Sequence, residues 1–217
     1  MLECKVELSS LTDDDLECGD CKICAGRSKF DYPFTRDLKN SDDLVQAIMQ
    51  YIELKTSLTC KKTTIDKNPD INVFDEEENI ICRIEAKYLE GQAFMKSKEQ
   101  ISLYPREALV VDEPKLDSYV ECKKRDRLSG KEIPIYVVWK FDKPCADLGG
   151  ITIFQEVDEL DRLRSLYGRL RAYERMCAST DFSDGVKLGV TKKYHFSIRE
   201  CMPIEKLPEK VKECEAE

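Results

Sequence analysis

Asp70, which follows Pro69, and the pair Glu85 and Lys87, separated by Ala86, are spaced so that they could act together on a phosphate ester. In a strand, residues two apart point to the same face. Glu85 and Lys87 then share one side, while Ile80, Cys82, Ile84 and Ala86 make the other side apolar. If Glu76, Glu77, Glu78 and Asn79 close a hairpin, Asp75 pairs with Ile80, and counting back sets Asp70 opposite Glu85. The same register sets Ile71 against Ile84 and Val73 against Cys82. A slip of one residue would spoil the apolar face and the two-carboxylate face together, so the register is strongly specified.

Two carboxylates whose Cβ atoms lie about 5 Å apart can hold Mg²⁺ or Mn²⁺, which keeps part of its water shell and accepts a phosphate oxygen. Such an ion stabilises charge on a scissile phosphate and acidifies a bound water, and a second ion would assist the leaving oxygen. Lys87 can orient or help deprotonate the attacking water, or offset developing charge. The bland alternative is a surface hairpin whose Asp, Glu and Lys form a weak ion pair. Glu-x-Lys also occurs at Glu3/Lys5, Glu53/Lys55, Glu113/Lys115 and Glu121/Lys123, so the hairpin context carries the reading. His195 is the single histidine and falls in an expected strand far along the chain, which points to a structural or exposed role rather than a general base.

Pro69-Asp70 followed by Glu85-Ala86-Lys87 resembles the PD-(D/E)XK signature of restriction-endonuclease-like nucleases, over roughly residues 41–141. The resemblance implies an α/β restriction-endonuclease-like core, a mixed central β-sheet flanked by helices, and a Mg²⁺-dependent phosphodiesterase acting on DNA. Asp70, Glu85 and Lys87 would be catalytic, with Asp70 and Glu85 as metal ligands. An acidic residue of the first helix often joins such sites. Glu53 is the candidate, although it lies well away from the centre of that helix's apolar stripe, and simple exposure is the alternative. Gln100 and Tyr104 have the Q-x-x-x-Y spacing of the RecB-type subgroup, but Pro105 would end that helix early.

Cys18, Cys21 and Cys24 form C-x-x-C-x-x-C, with Cys4 the nearest fourth cysteine, a spacing that can wrap zinc or an iron–sulfur cluster. Several RecB-type and CRISPR-adaptation exonucleases carry a four-cysteine cluster, usually with three of the cysteines after the nuclease motif. Here three precede it. Free thiols are the alternative. Cys60, Cys82, Cys122, Cys145, Cys177, Cys201 and Cys214 are scattered and read as packing residues.

The elements that must position these groups follow from periodicity. Ser41, with Asp42 and Asp43 in the first turn, announces a helix whose Leu44, Val45, Ile48, Met49 and Ile52 recur at helical spacing. Two strands make the hairpin, and residues 108–111 make another. A helix near 116–128 and a buried strand at 133–141 follow. Residues 157–177 read as the clearest helix, with Leu163, Leu166, Leu170, Tyr173 and Cys177 on one stripe. Arg164, Arg171 and Arg175 would then share another face, within about 40° of one another, and could touch DNA phosphates. Solvation beside Asp161 and Glu174 is the equal alternative, and Lys123, Lys124, Arg125 and Arg127 form a second basic cluster with the same two readings. A strand at 193–198 and a short helix between 203 and 212 complete an α/β pattern. We divide the chain into a cysteine-rich N-terminal segment, 1–28, and a nuclease domain, 29–217, with a helical C-terminal extension.

At 217 residues the chain can bury one sizeable core. A net charge of −8 weighs against a protein devoted to neutralising phosphates, unless carboxylates are concentrated at a metal site and basic clusters act locally. No stretch approaches the roughly 18 apolar residues of a membrane span, and the first residues lack a signal-peptide segment, so the expected location is the cytoplasm, with no membrane partner. Eleven cysteines in that compartment read as thiols or ligands rather than disulfides. The function expected is hydrolysis of DNA phosphodiesters, by endo- or exonuclease action, with cutting of both strands favouring a homodimer. The competing reading is a catalytically silent zinc or iron–sulfur module that binds protein or nucleic acid.

Overall fold

The computed structural model describes residues 2–19, 23, 34–65, 68–91, 93–145, 147–176, 182–183, 186–187 and 191–215. In chain order the helices are α1 (Asp13–Leu16), α2 (Phe34–Lys55), α3 (Ser97–Ile101), α4 (Glu113–Leu128), α5 (Val157–Tyr167) and α6 (Leu207–Glu213). The first six strands are β1 (Thr59–Lys62), β2 (Ile71–Phe74), β3 (Ile80–Glu90), β4 (Ala108–Asp112), β5 (Ile135–Asp142) and β6 (Ile151–Glu156). They are followed by β7 (Ala172–Glu174), β8 (Phe182–Ser183), β9 (Val186–Lys187), β10 (Lys192–Ser197) and β11 (Met202–Pro203).

The central sheet has six strands in the order β1-β2-β3-β5-β6-β11. Only the β3–β5 pair is parallel, with α4 in the crossover between them; the neighbouring pairs are antiparallel, so the sheet is mixed. β4, β10 and β7 form a separate three-stranded sheet, joined to the first where the Trp139 indole donates to the Val110 carbonyl at 3.2 Å.

β5 explains why helices cover both faces. Its sequence is an almost unbroken apolar run, as expected of a strand buried on both sides. Tyr136 and Val138 point into one core with Leu44, Val45, Ile48 and Ile52 of α2 and Leu207 and Val211 of α6. Val137, Trp139 and Phe141 point into the other, with Leu116 and Tyr119 of α4, Leu160 and Leu163 of α5, and Phe196 of β10. Leu8 and Leu16 are buried in this second core and Leu2 in the first, so the first residues of the chain pack against the sheet.

Several boundaries differ from the sequence reading. α2 begins at Phe34 rather than near Ser41, since no glycine or proline interrupts residues 34–55. α5 ends at Tyr167 rather than continuing to Cys177. Gly168 turns the chain at φ 51°, Leu166 and Leu170 are left exposed, and a 3-10 turn leads into β7. Continuing the leucine stripe for another turn would have had no surface to cover. β1 and β6 were not foreseen: β1 has one buried residue in four, and β6 has no polar alternation because both its faces are covered. Among the described residues, no helix is long and apolar enough to cross a membrane.

His195 is a structural residue of β10. Its ring is buried between Phe94 and Tyr173, with Nδ1 3.3 Å from the Arg171 carbonyl. Burial pushes its pKa down to about 4. The unfolded chain, with a histidine pKa of about 6.5, therefore binds a proton that the folded chain refuses. Stability is complete above that value and is lost as pH falls towards 4, by on the order of 3 kcal/mol. Urea melts from pH 7 to 4 should show this loss, and His195→Gln should flatten it; an equally steep curve in the variant would assign the loss to other groups.

Candidate active site

The β2–β3 ladder places Ile71 opposite Ile84 and Val73 opposite Cys82, the pairing expected from the alternation of apolar residues. The expected closure at Asp75 and Ile80 is corrected, because Phe74 pairs with Ile80 instead. Ile81 is the extra residue of a bulge, and the turn is closed by Asp75 N–H donating to the Asn79 carbonyl at 3.1 Å, with Glu78 in the left-handed region at φ 61°. The bulge absorbs the difference, so the far end of the hairpin keeps its register.

At that end Asp70 immediately precedes β2, and its Oδ2 accepts a hydrogen bond from the Ala86 N–H at 2.9 Å. Glu85 points from the middle of β3 into a covered space and is 3% exposed. Its Oε1 is ion-paired with the Lys87 ammonium two residues on, on the same face of the strand. Its Oε2 is buried and makes no hydrogen bond. The three groups picked out by spacing do come together.

Burial, and next the neighbouring Glu85 carboxylate, push the Asp70 pKa up to about 6, against the opposing pull of the Ala86 N–H, Lys87 and Lys115. For Lys87, burial acts to lower the pKa, but the carboxylates of Glu85, Asp112 and Asp70 more than reverse this, and the net shift is upward. Lys87 is therefore an ammonium near neutral pH, suited to holding Glu85 and meeting negative charge and poorly suited to taking a proton.

Two adjacent carboxylates, one with a buried oxygen lacking a partner, fit a small hard cation, which would offset the repulsion that raises Asp70. Among the described residues, no three His, Cys, Asp or Glu side chains are grouped to hold a metal. Mg²⁺ does not need such a cage, since one or two carboxylates with waters and substrate oxygens suffice.

α4 covers this face of β3. Tyr119 is fully buried near Glu85, with its hydroxyl making no hydrogen bond, Lys115 lies near Asp70, and Asp112 acts on Lys87 while ion-paired with Lys193. Further along, the Arg83 guanidinium makes two hydrogen bonds to Asp126. These residues escaped the sequence reading. The signal available was the recurrence of polar groups at Lys115, Tyr119 and Asp126, which a 3.6-residue repeat puts on one side of α4.

Other candidates lie elsewhere. Glu53 is exposed at the end of α2, where Oε1 accepts the Cys60 N–H at 3.0 Å. Gln100 is exposed on α3, which ends at Ile101 before Pro105, and the Tyr104 hydroxyl donates to Asp13 at 2.9 Å. Because α5 stops at Tyr167, the three arginines do not share a helix face. Arg164 pairs with Asp117 and Asp161, Arg171 is buried against Glu200, and Arg175 follows β7. In the second basic cluster, Lys123 is buried between Glu156 and Asp158, and Arg127 pairs with Glu132 and Asp158. Lys124 is exposed, and Arg125 reaches Asn68.

Of the cysteine set, Cys21 and Cys24 lie outside the described residues. Cys18 is half-buried, and the Cys4 thiol donates to the Val6 carbonyl near Cys201. Cys60, Cys82, Cys122 and Cys201 are buried in the cores, as expected of packing residues; Cys145 and Cys214 are half-buried, and Cys177 lies outside the described residues.

No protein-family profile matches the chain, and no curated protein does. Solved structures do. The Holliday junction resolvase Hjc of Archaeoglobus fulgidus is similar at 12% identity and a TM-score of 0.41, over 78% of this chain and 96% of that one. D212, a nuclease from a fusselovirus, is similar at 8% identity and a TM-score of 0.46, over 83% of this chain and 93% of that one.

Proposed function

We propose that this chain is a metal-dependent nuclease that hydrolyses DNA phosphodiesters at Asp70, Glu85 and Lys87. The observation that carries the reading is the meeting of two carboxylates and one ammonium on the same hairpin face, with the buried Glu85 Oε2 left without a partner. Asp70 and Glu85 would hold Mg²⁺ or Mn²⁺. Bound there, the ion would supply a Lewis acid for the phosphate oxygen and an acidified water.

The chain's own groups perform the rest. The Ala86 N–H fixes one oxygen of Asp70. Lys87 holds Glu85 and presents positive charge where negative charge would grow on the phosphate. α4 shields the inner side of the site from water, which strengthens each of these interactions. The overall charge of −8 is no obstacle to this arrangement, because Lys115, Lys124 and Arg125 offer cations along α4. Cutting both strands of a duplex would favour a homodimer.

Incubation with supercoiled plasmid and with linear duplex, in Mg²⁺, in Mn²⁺ and in EDTA, tests the proposal. Cleavage that requires the metal is expected. Nicked or linearised plasmid marks an endonuclease, and loss of the linear duplex alone marks an exonuclease of the RecB kind. Intact DNA in both metals, with folded protein, would refute the assignment.

A further inference from the structure

We infer that Lys115 is a substrate-binding residue, its ammonium holding a phosphate of duplex DNA next to the one being cut; the inference rests on the nuclease reading and deepens it. Two observed contacts fix where Lys115 lies. Trp139, the register partner of Lys87, donates from its indole to the Val110 carbonyl, and the chain runs from there through Asp112 directly into α4. The first turn of α4 therefore starts beside the strand that carries Glu85 and Lys87.

At the other end of the helix Asp126 is clamped to Arg83. β3 and β5 are parallel, so the crossover helix between them runs back against both. Eleven residues before Asp126 is about 16 Å along the helix, or about five residues of β3. Lys115 is thus level with Tyr88, just beyond Lys87. At 3.6 residues per turn it also lies within about 40° of Tyr119 and Asp126, on the side of α4 that meets the sheet.

A cation here does little for the fold. Lysine in the first turn of a helix meets the positive end of the dipole, where a carboxylate would be favoured. Lys115 is half-buried, and among the described residues its ammonium makes no hydrogen bond and no ion pair. The nearest acids of its own segment are engaged elsewhere, Asp112 with Lys193 and Asp117 with Arg164. Other cations of α4 are neutralised: Lys123 by Glu156 and Asp158, and Arg127 by Glu132 and Asp158. Lys87 is itself ion-paired with Glu85. Lys115 is the cation left to meet an incoming anion at this end of β3, and it sits too far along the strand to share the phosphate held at Glu85.

A contact to a phosphate that does not react binds ground state and transition state alike, so its loss should raise KM and leave kcat unchanged. The test uses the full chain with Lys115→Gln and a labelled duplex, followed by fluorescence anisotropy in EDTA over a salt titration. The slope of log affinity against log salt should become shallower by about 0.9, the loss of one phosphate contact. Lys115→Arg should keep the wild-type slope. Lys210→Gln, on α6 across the sheet, removes the same charge and should change neither slope nor KM. The unfolding temperature of Lys115→Gln should equal or exceed that of wild type. A wild-type slope and KM in Lys115→Gln, an equal change in Lys210→Gln, or a marked fall in unfolding temperature would each overturn the assignment. Wild-type protein that binds the duplex through Lys115 but leaves it uncut in Mg²⁺ and Mn²⁺ would refute the nuclease reading and uphold the contact; protein that binds no duplex would refute both.

Discussion

Alanine at Asp70, Glu85 or Lys87 is expected to lower metal-dependent DNA cleavage by on the order of 10²–10³-fold each, the usual effect of deleting one group that stabilises developing charge. The three losses should differ in kind. Asp70→Ala and Glu85→Ala remove the groups proposed to hold the ion, so extra Mn²⁺ should recover part of the activity. Lys87→Ala removes positive charge and leaves Glu85 buried without its ion pair, so added metal should not restore it. Asp70→Asn is the conservative control, because its side-chain oxygen can still accept the Ala86 N–H while the charge is gone. Cleavage rates over a metal titration, with circular dichroism to verify folding, provide the measurement. Activity within a few-fold of wild type in Asp70→Ala or Glu85→Ala would end the assignment.

Asp126→Ala should be the most destabilising single change near the site, costing about 3–5 kcal/mol, because it leaves the Arg83 guanidinium buried and unpaired. The side chains of Arg83 and Asp126 are 9% and 16% exposed, so water can replace the lost partner only in part. The pair also sets α4 against β3, and cleavage should fall as α4 loosens, even below the temperature at which the protein unfolds. Replacing both partners with apolar residues of similar volume should recover most of the stability, since the penalty arises from the orphaned charge and not from a large net worth of the pair. Urea melts of the two single variants and the double variant decide this. A loss under 1 kcal/mol for Asp126→Ala would mean that Arg83 finds another partner or reaches solvent.

The hairpin was legible because alternation of side chains is a local property. Ile71, Val73, Cys82 and Ile84 must face one way, and once they do, Asp70, Glu85 and Lys87 have only the other side. Even a misplaced turn did not disturb this conclusion, since the bulge at Ile81 restores the register that burial demands. The buried strand β5 and the apolar stripe of α2 were readable for the same reason: each displays its burial along its own sequence.

Contacts between elements distant in the chain leave no such trace. The length of α5 depended on where the surface beneath its leucines ended, and Arg171 left the expected arginine face to meet Glu200, 29 residues later. Whether Glu53 would join the carboxylates depended on how α2 crosses the sheet, and the nearby Cys60 N–H engages it instead. The parallel pairing of β3 with β5 forces a crossover, and that crossover lays α4 over the polar face of β3. Tyr119, Lys115 and Asp126 become part of the site through that packing alone, because their spacing on a helix says which side they share but not which strand that side will meet.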